Sequence, residues 1–204
     1  MFWEYELTCD ALCLGERTKK GTYRASLDSS IPYSQITGAL RARRRGEGRE
    51  LDIHAVGRIL KSRREIKMRA LRDVFSDTAK LPLEIEFLSE VQARIYIPMV
   101  GDTAELETDL ALELGAYRSL GFGQCRLKRN KPAQEFKPAE GRLAVRVPEN
   151  SRVLELFQIQ VKMPIYGYLF QPDAAHESGE YVRALFEDSW VSAPLPFLRE
   201  TQEV

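Results

Sequence analysis

The order in which apolar periodicities follow one another over residues 1–130 leaves few folds open. Trp3, Tyr5, Leu7, Cys9, Ala11 and Cys13 occupy every second position, which predicts a strand with one buried face. Cys9 and Cys13 then share that face as small core hydrophobes. Residues 15–30 are polar, with Arg17, Lys19, Lys20 and Arg24, and read as an irregular loop. Pro32 pushes Ile31 out of the helical region. Behind it Ser34 suits an N-cap, and Ile36, Ala39, Leu40 and Arg43 fall at helical spacing. Gly38 costs such a helix about 1 kcal/mol against alanine, so something is expected to pack or bind closely there. The helix should fray near Arg45–Gly48.

Leu81–Leu88 and Gln92–Ile97 predict a hairpin with a tight turn at Ser89–Glu90. Asp102 and Thr103 then suit the cap of a second helix. Leu106, Leu110 and Leu114 form its stripe, joined by Ala111, and Glu105, Glu107 and Asp109 lie in its first turns. Gly115 ends it, and Gly121–Arg129 leads into another strand. Strand, helix, strand, strand, helix, strand predicts an α+β, ferredoxin-like core (βαββαβ, like an RNA-recognition motif) over residues 1–130. Residues 130–141 look like a linker. Residues 142–147 and 153–170 read as strands, and the apolar tail from Tyr181 to Phe197 packs back on the sheet. A smaller β-rich part, 131–204, is therefore expected to pack on the core.

Charge is distributed unevenly in a chain of zero formal net charge. Residues 41–72 hold twelve Lys/Arg against four Asp/Glu, interleaved with Ile53, Val56, Ile59, Leu60, Ile66, Met68 and Leu71. They read as a short helix or irregular arm over 52–64, then an extended or helical piece to Phe75. Two readings are open: a solvated face, or a surface for an anionic ligand. Arginine predominates, which suits forked contacts to phosphate. The Gly115–Leu127 stretch is open in the same way. Gly121 and Gly123 either make a plain turn or, with Arg118 and Arg126, bring backbone N–H groups to a phosphate.

His54 lies inside the basic block, with Tyr33 upstream and Lys61 downstream. Histidine titrates near neutrality, so it is the natural candidate for acid–base chemistry; equally, a histidine between Ile53 and Val56 suits a structural place. His176 reads as a surface loop residue. No apolar run reaches the ~18 residues of a membrane span, and no secretory signal is expected from the first residues. Three cysteines without a CxxC spacing predict neither a disulfide framework nor a metal site, and a reducing, cytoplasmic setting. GxGxxG and Walker patterns are absent, so no nucleotide cofactor is expected.

The run from Ile31 to Arg41, IPYSQITGALR, resembles the "IPGSxxKGxLR" helix start of the RAMP superfamily of CRISPR-associated proteins, with Tyr33 in place of the usual glycine. Gly115, Gly121, Phe122, Gly123 and Leu127 are similar to its glycine-rich loop. The resemblance implies guide-RNA binding in a multi-subunit interference complex of antiviral defence, with other complex subunits as partners. Its members polymerise along the guide, cap the guide's five-prime handle, or process repeats. Some polymerising members cleave target RNA with a loop aspartate; Asp28, three residues before Ile31, is expected to serve in a turn or cap instead. The short chain fits a non-catalytic capping subunit. Arg41, Arg43, Arg44, Arg118, Arg126 and Lys128 are then the expected phosphate contacts around Gly121–Gly123. Phe122 and Tyr33 either stack bases or sit in the core. A repeat-processing ribonuclease using Tyr33, His54 and Lys61 is the alternative, and a protein–protein adaptor a third.

Overall fold

The computed structural model describes residues 1–14, 23–24, 26–46, 48, 52–69, 83–100, 106–129, 131–172 and 179–200. Its first strand, β1 (Phe2–Leu12), is followed by β2 (Tyr23–Arg24), β3 (Ser30–Ile31) and helix α1 (Tyr33–Gly46). Two long strands come next, β4 (Val56–Arg69) and β5 (Leu83–Pro98), then β6 (Asp109–Glu113) and β7 (Gln124–Lys128). The remainder is β8 (Pro138–Arg142), β9 (Val147–Pro148), α2 (Ser151–Leu156), β10 (Gln160–Met163), β11 (Tyr166–Pro172), β12 (Gly179–Leu185) and β13 (Trp190–Pro194). The protein is α+β and mostly strand.

The main sheet runs β3–β4–β5–β1–β7–β6, with β2 paired to β5. The alternation read over residues 2–14 is real: Tyr5, Leu7 and Cys9 are buried on one face of β1. Ile36 and Leu40 of α1 close over that face in a cluster with Ile53, Ile95, Leu110 and Leu127. Phe2, Val56 and Tyr96 have the opposite parity in the register. They form a second cluster with Leu143, Phe157, Leu185 and Phe197, so the later elements cover the other face of the central strands.

Five expectations are corrected. Residues 106–114 are not helical: β6 lies there, with Leu110 and Leu112 buried and Asp109, Ala111 and Glu113 exposed. Spacings of four and eight residues are even, so leucines 106, 110 and 114 fit a strand as well as a helix stripe. Of the basic block, residues 41–46 finish α1 and residues 56–69 form the strand β4, so the helical alternative over 52–64 and beyond gives way to the extended one. Ser89–Glu90 is not a hairpin turn. Glu90 has φ 51° within one continuous strand, where the register with β4 slips. Residues 151–156 are helical because Asn150 Oδ1 accepts from the Arg152 and Val153 backbone N–H groups. Residues 131–142 do not form a free linker: Gln134 pairs with Phe2, and Phe136 packs on the second cluster. All three cysteines are free and buried.

Candidate functional site

The helix start and the glycine-rich loop, far apart in sequence, meet in space. α1 presents Ser34, Gln35, Gly38, Ala39 and Ala42 along one wall of a groove of about 800 Å³; Gly115, Ala116 and Arg118 form the next wall. Tyr168, Phe170 and Tyr181 of the β11–β12 hairpin close the third. The volume is within the range of small-ligand sites. A Cβ at Gly38 would meet nothing within 4 Å, so no part of the described protein packs there; the groove lies over it instead.

The loop is built by left-handed backbone at Gly115 (φ +84°), Tyr117 (φ 57°), Gly121 (φ +86°) and Gly123 (φ +80°). The N–H groups of both glycines read as a phosphate cradle, Gly121 and Gly123, are engaged within the protein, and so is that of Ala116. Ala116 N–H donates to Cys13 O at 2.8 Å, Gly121 to Arg118 O at 3.0 Å and Gly123 to Ala11 O at 2.7 Å. The loop is thus stapled to the end of β1 and offers a side chain: exposed Arg118, 3.8 Å from the equally exposed Glu113. Surface pairs of this kind are weak.

The helix arginines are placed otherwise than expected. Arg44 is 3% exposed and cannot meet a ligand. Arg43 donates to Ala111 O at 2.6 Å and to Glu107 at 3.0 Å, tying α1 to β6. Arg41 donates to Ile53 O at 2.9 Å. On β7, Arg126 forks onto Asp109 at 2.8 and 2.5 Å, with Lys128 exposed beside it. Phe122 is buried edge-on against Phe87 at 5.0 Å and presents no open face to a base. Asp28 pairs with Arg64.

Tyr33 and His54 do come together, but Lys61 does not join them. Tyr33 Oη is 2.5 Å from His54 Nδ1, and His54 Nε2 is 3.0 Å from Asp52 Oδ1. Burial raises the Tyr33 phenol pKa; burial also lowers that of His54, outweighing Asp52. The consistent state is a tyrosine O–H donating to a neutral ring whose Nε2–H donates to Asp52. Both ring nitrogens are engaged, so neither is left to take a proton from a ribose hydroxyl. Tyr33 itself is buried against Phe157. Lys61 lies five residues beyond Val56 on extended backbone, roughly 16 Å away at the strand rise. Asp52 also binds Arg152 and contacts Arg41, so the cluster is a clasp between α1, the segment before β4, and α2.

This clasp has a pH signature. The folded-state pKa of His54 lies below its ordinary value, so the unfolded chain binds more protons as pH falls. Stability is full above about pH 6.5 and is lost as pH drops toward the lower folded-state pKa, at a slope of at most ~1.4 kcal/mol per unit. Urea midpoints from pH 7.5 to 5 should fall in the wild type and flatten in His54→Gln. Parallel profiles would show that His54 is not the group responsible.

Sequence reasoning missed the groove's third wall. Its signal was the alternation Tyr166, Tyr168, Phe170, legible as a strand but not as a neighbour of Gly38.

No protein-family model and no curated protein matches the chain. Among solved structures, the chain is similar to one from a Type III-B Cmr-beta complex bound to cognate target RNA and AMPPnP, at TM-score 0.60 and 10% identity. The match covers 93% of this chain and 86% of the other. A chain of Type III-B Cmr-beta bound to cognate target RNA matches over the same shares, at TM-score 0.57 and 11% identity. The likeness is one of fold. It spans both hydrophobic clusters, so the later elements belong to the shared architecture. No helix among the described residues is long and apolar enough to cross a membrane.

Proposed function

We propose that this protein is a non-catalytic guide-RNA-binding subunit of a CRISPR interference complex, of the handle-capping kind, working in the cytoplasm in antiviral defence. One observation carries the proposal: the two stretches that resemble RAMP motifs line the same groove. The fold likeness to chains of an RNA-bound Cmr-beta assembly supports it. So does the order β4–β5–β1–β7 with α1 between β1 and β4 in the chain, which we read as a ferredoxin-like core whose second helix gives way to β6. On this reading residues 1–130 are that core and 131–204 a second part sharing its hydrophobic interior.

Arg118 is the phosphate contact at the groove, with Gly121 and Gly123 fixing the loop that carries it. Arg126 and Lys128 extend the basic surface along β7. Phosphates entering beside Ser34 and Gln35 also meet the positive end of the α1 dipole. The Tyr33–His54–Asp52 chain holds the helix start in place rather than cutting RNA.

The test is a labelled CRISPR repeat RNA incubated with the protein in EDTA and run on native and denaturing gels. The expected result is a mobility shift without cleavage, with Arg118→Glu weakening binding about ten-fold and lowering the salt dependence by roughly one charge. Cleavage that disappears in His54→Ala would replace this reading with a repeat-processing ribonuclease. No binding even at low salt would overturn it.

A further inference from the structure

The β11–β12 hairpin carries aromatic side chains that the core does not use. Partners across an antiparallel pair share a face, so Tyr168 with its partner Arg183, and Phe170 with its partner Tyr181, stand on one side of the hairpin. Tyr168 is 66% exposed and Tyr181 54%, although both line the groove. Phe170 and Tyr181 meet edge-on at 5.5 Å. The hairpin is seated firmly. Phe186 packs against Gly167, where a Cβ would lie 2.4 Å from the ring. Arg146 covers the Phe186 ring at 4.3 Å and donates to Glu187 at 2.5 Å. Glu187 in turn accepts from Ser29 at 3.1 Å and Ser30 at 2.6 Å, just before α1. The aromatic wall is therefore held at a fixed distance from the helix wall.

We infer that this wall is a stacking platform for unpaired bases of the RNA proposed above, so that Tyr168, Phe170 and Tyr181 belong to the RNA site. The inference rests on that proposal. Two observations favour a nucleotide occupant. Neighbouring side chains on one face of a strand stand two residues apart, ~6.7 Å, about twice the ~3.4 Å rise of stacked bases; Tyr168 and Phe170 have the spacing to take one base between them. The opposite wall of Gly38, Ala39 and Ala42 lacks any long side chain and leaves room for a planar ring. Arg118 at the rim is placed for the phosphate that follows.

The experiment is fluorescence anisotropy with a labelled single-stranded RNA of roughly a dozen nucleotides, across a salt series, on the full chain. Tyr168→Ala and Tyr181→Ala should each weaken binding about ten-fold with an unchanged salt slope, because a lost stack removes no phosphate contact. Gly38→Leu is the second variant. It adds bulk where nothing is packed and replaces a poor helix former, so it should melt no lower than wild type while losing most binding. Wild-type binding with all three variants at full affinity would overturn the inference, leave RNA binding standing, and mark the groove as a seat for a protein segment. Absence of RNA binding by the wild type would remove both.

Discussion

Gly123→Ala should lower the melting temperature by roughly 6–12 °C, following a loss of about 3 kcal/mol or more in a chain of this size. Two effects add at this position. The backbone stands at φ +80°, which costs an L-residue ~1–2 kcal/mol. A Cβ would also lie 1.9 Å from Leu114 O, and that oxygen belongs to backbone joined to Gly123 O through Leu114 N–H at 2.8 Å. Gly121 separates the two effects. Its φ is +86°, but a Cβ there would meet nothing within 4 Å. Gly121→Ala should therefore cost only the conformational part, roughly 2–8 °C and less than Gly123→Ala. Equal shifts for the two variants in differential scanning fluorimetry would show that close approach is not what requires glycine at 123.

Phe197→Ala should be the most damaging core truncation, at about 3–5 kcal/mol. The ring is fully buried and meets Phe2 at 5.4 Å, Tyr96 at 5.4 Å and Phe157 at 5.8 Å. Two of those partners lie in the central strands β1 and β5. The loss should move one cooperative unfolding transition as a whole, with circular dichroism and tryptophan fluorescence shifting together. If the later part folded independently, the variant would split the transition, leaving the β1–β7 region melting as in wild type.

The sequence made some of this legible, and the physical reasons are specific. β1 and α1 were readable because each buries one face against a partner and therefore keeps a clean period. Leucines 106, 110, 112 and 114 were not, because even spacings serve both periods and only the alternation of Asp109, Ala111 and Glu113 between them decides. The turn character of Ser89–Glu90 was real, yet β1 and β4 pair with β5 on both sides of it and hold the chain straight. Of the site, Arg118 and the helix start were visible as motifs. Arg41, Arg43 and Arg44 looked equally available. Only the fold reveals that carbonyls and carboxylates reach the first two and that Arg44 is buried. The aromatic wall was out of reach, since nothing local to Tyr168 records that Gly38 faces it.

The second hydrophobic cluster also bears on how the chain reaches this state. β1 lies between β5 and β7 in the main sheet, and its first residue, Phe2, closes on rings at positions 157 and 197. Contacts this distant in sequence bring their loop-closure entropy into the folding barrier. Folding should then be slow for a chain of this length, on the millisecond-to-second scale of strand-rich domains of high contact order. During synthesis Phe2, Val56 and Tyr96 stay uncovered until residues 143–197 emerge, an interval in which a chaperone or an early-bound partner has that face to protect.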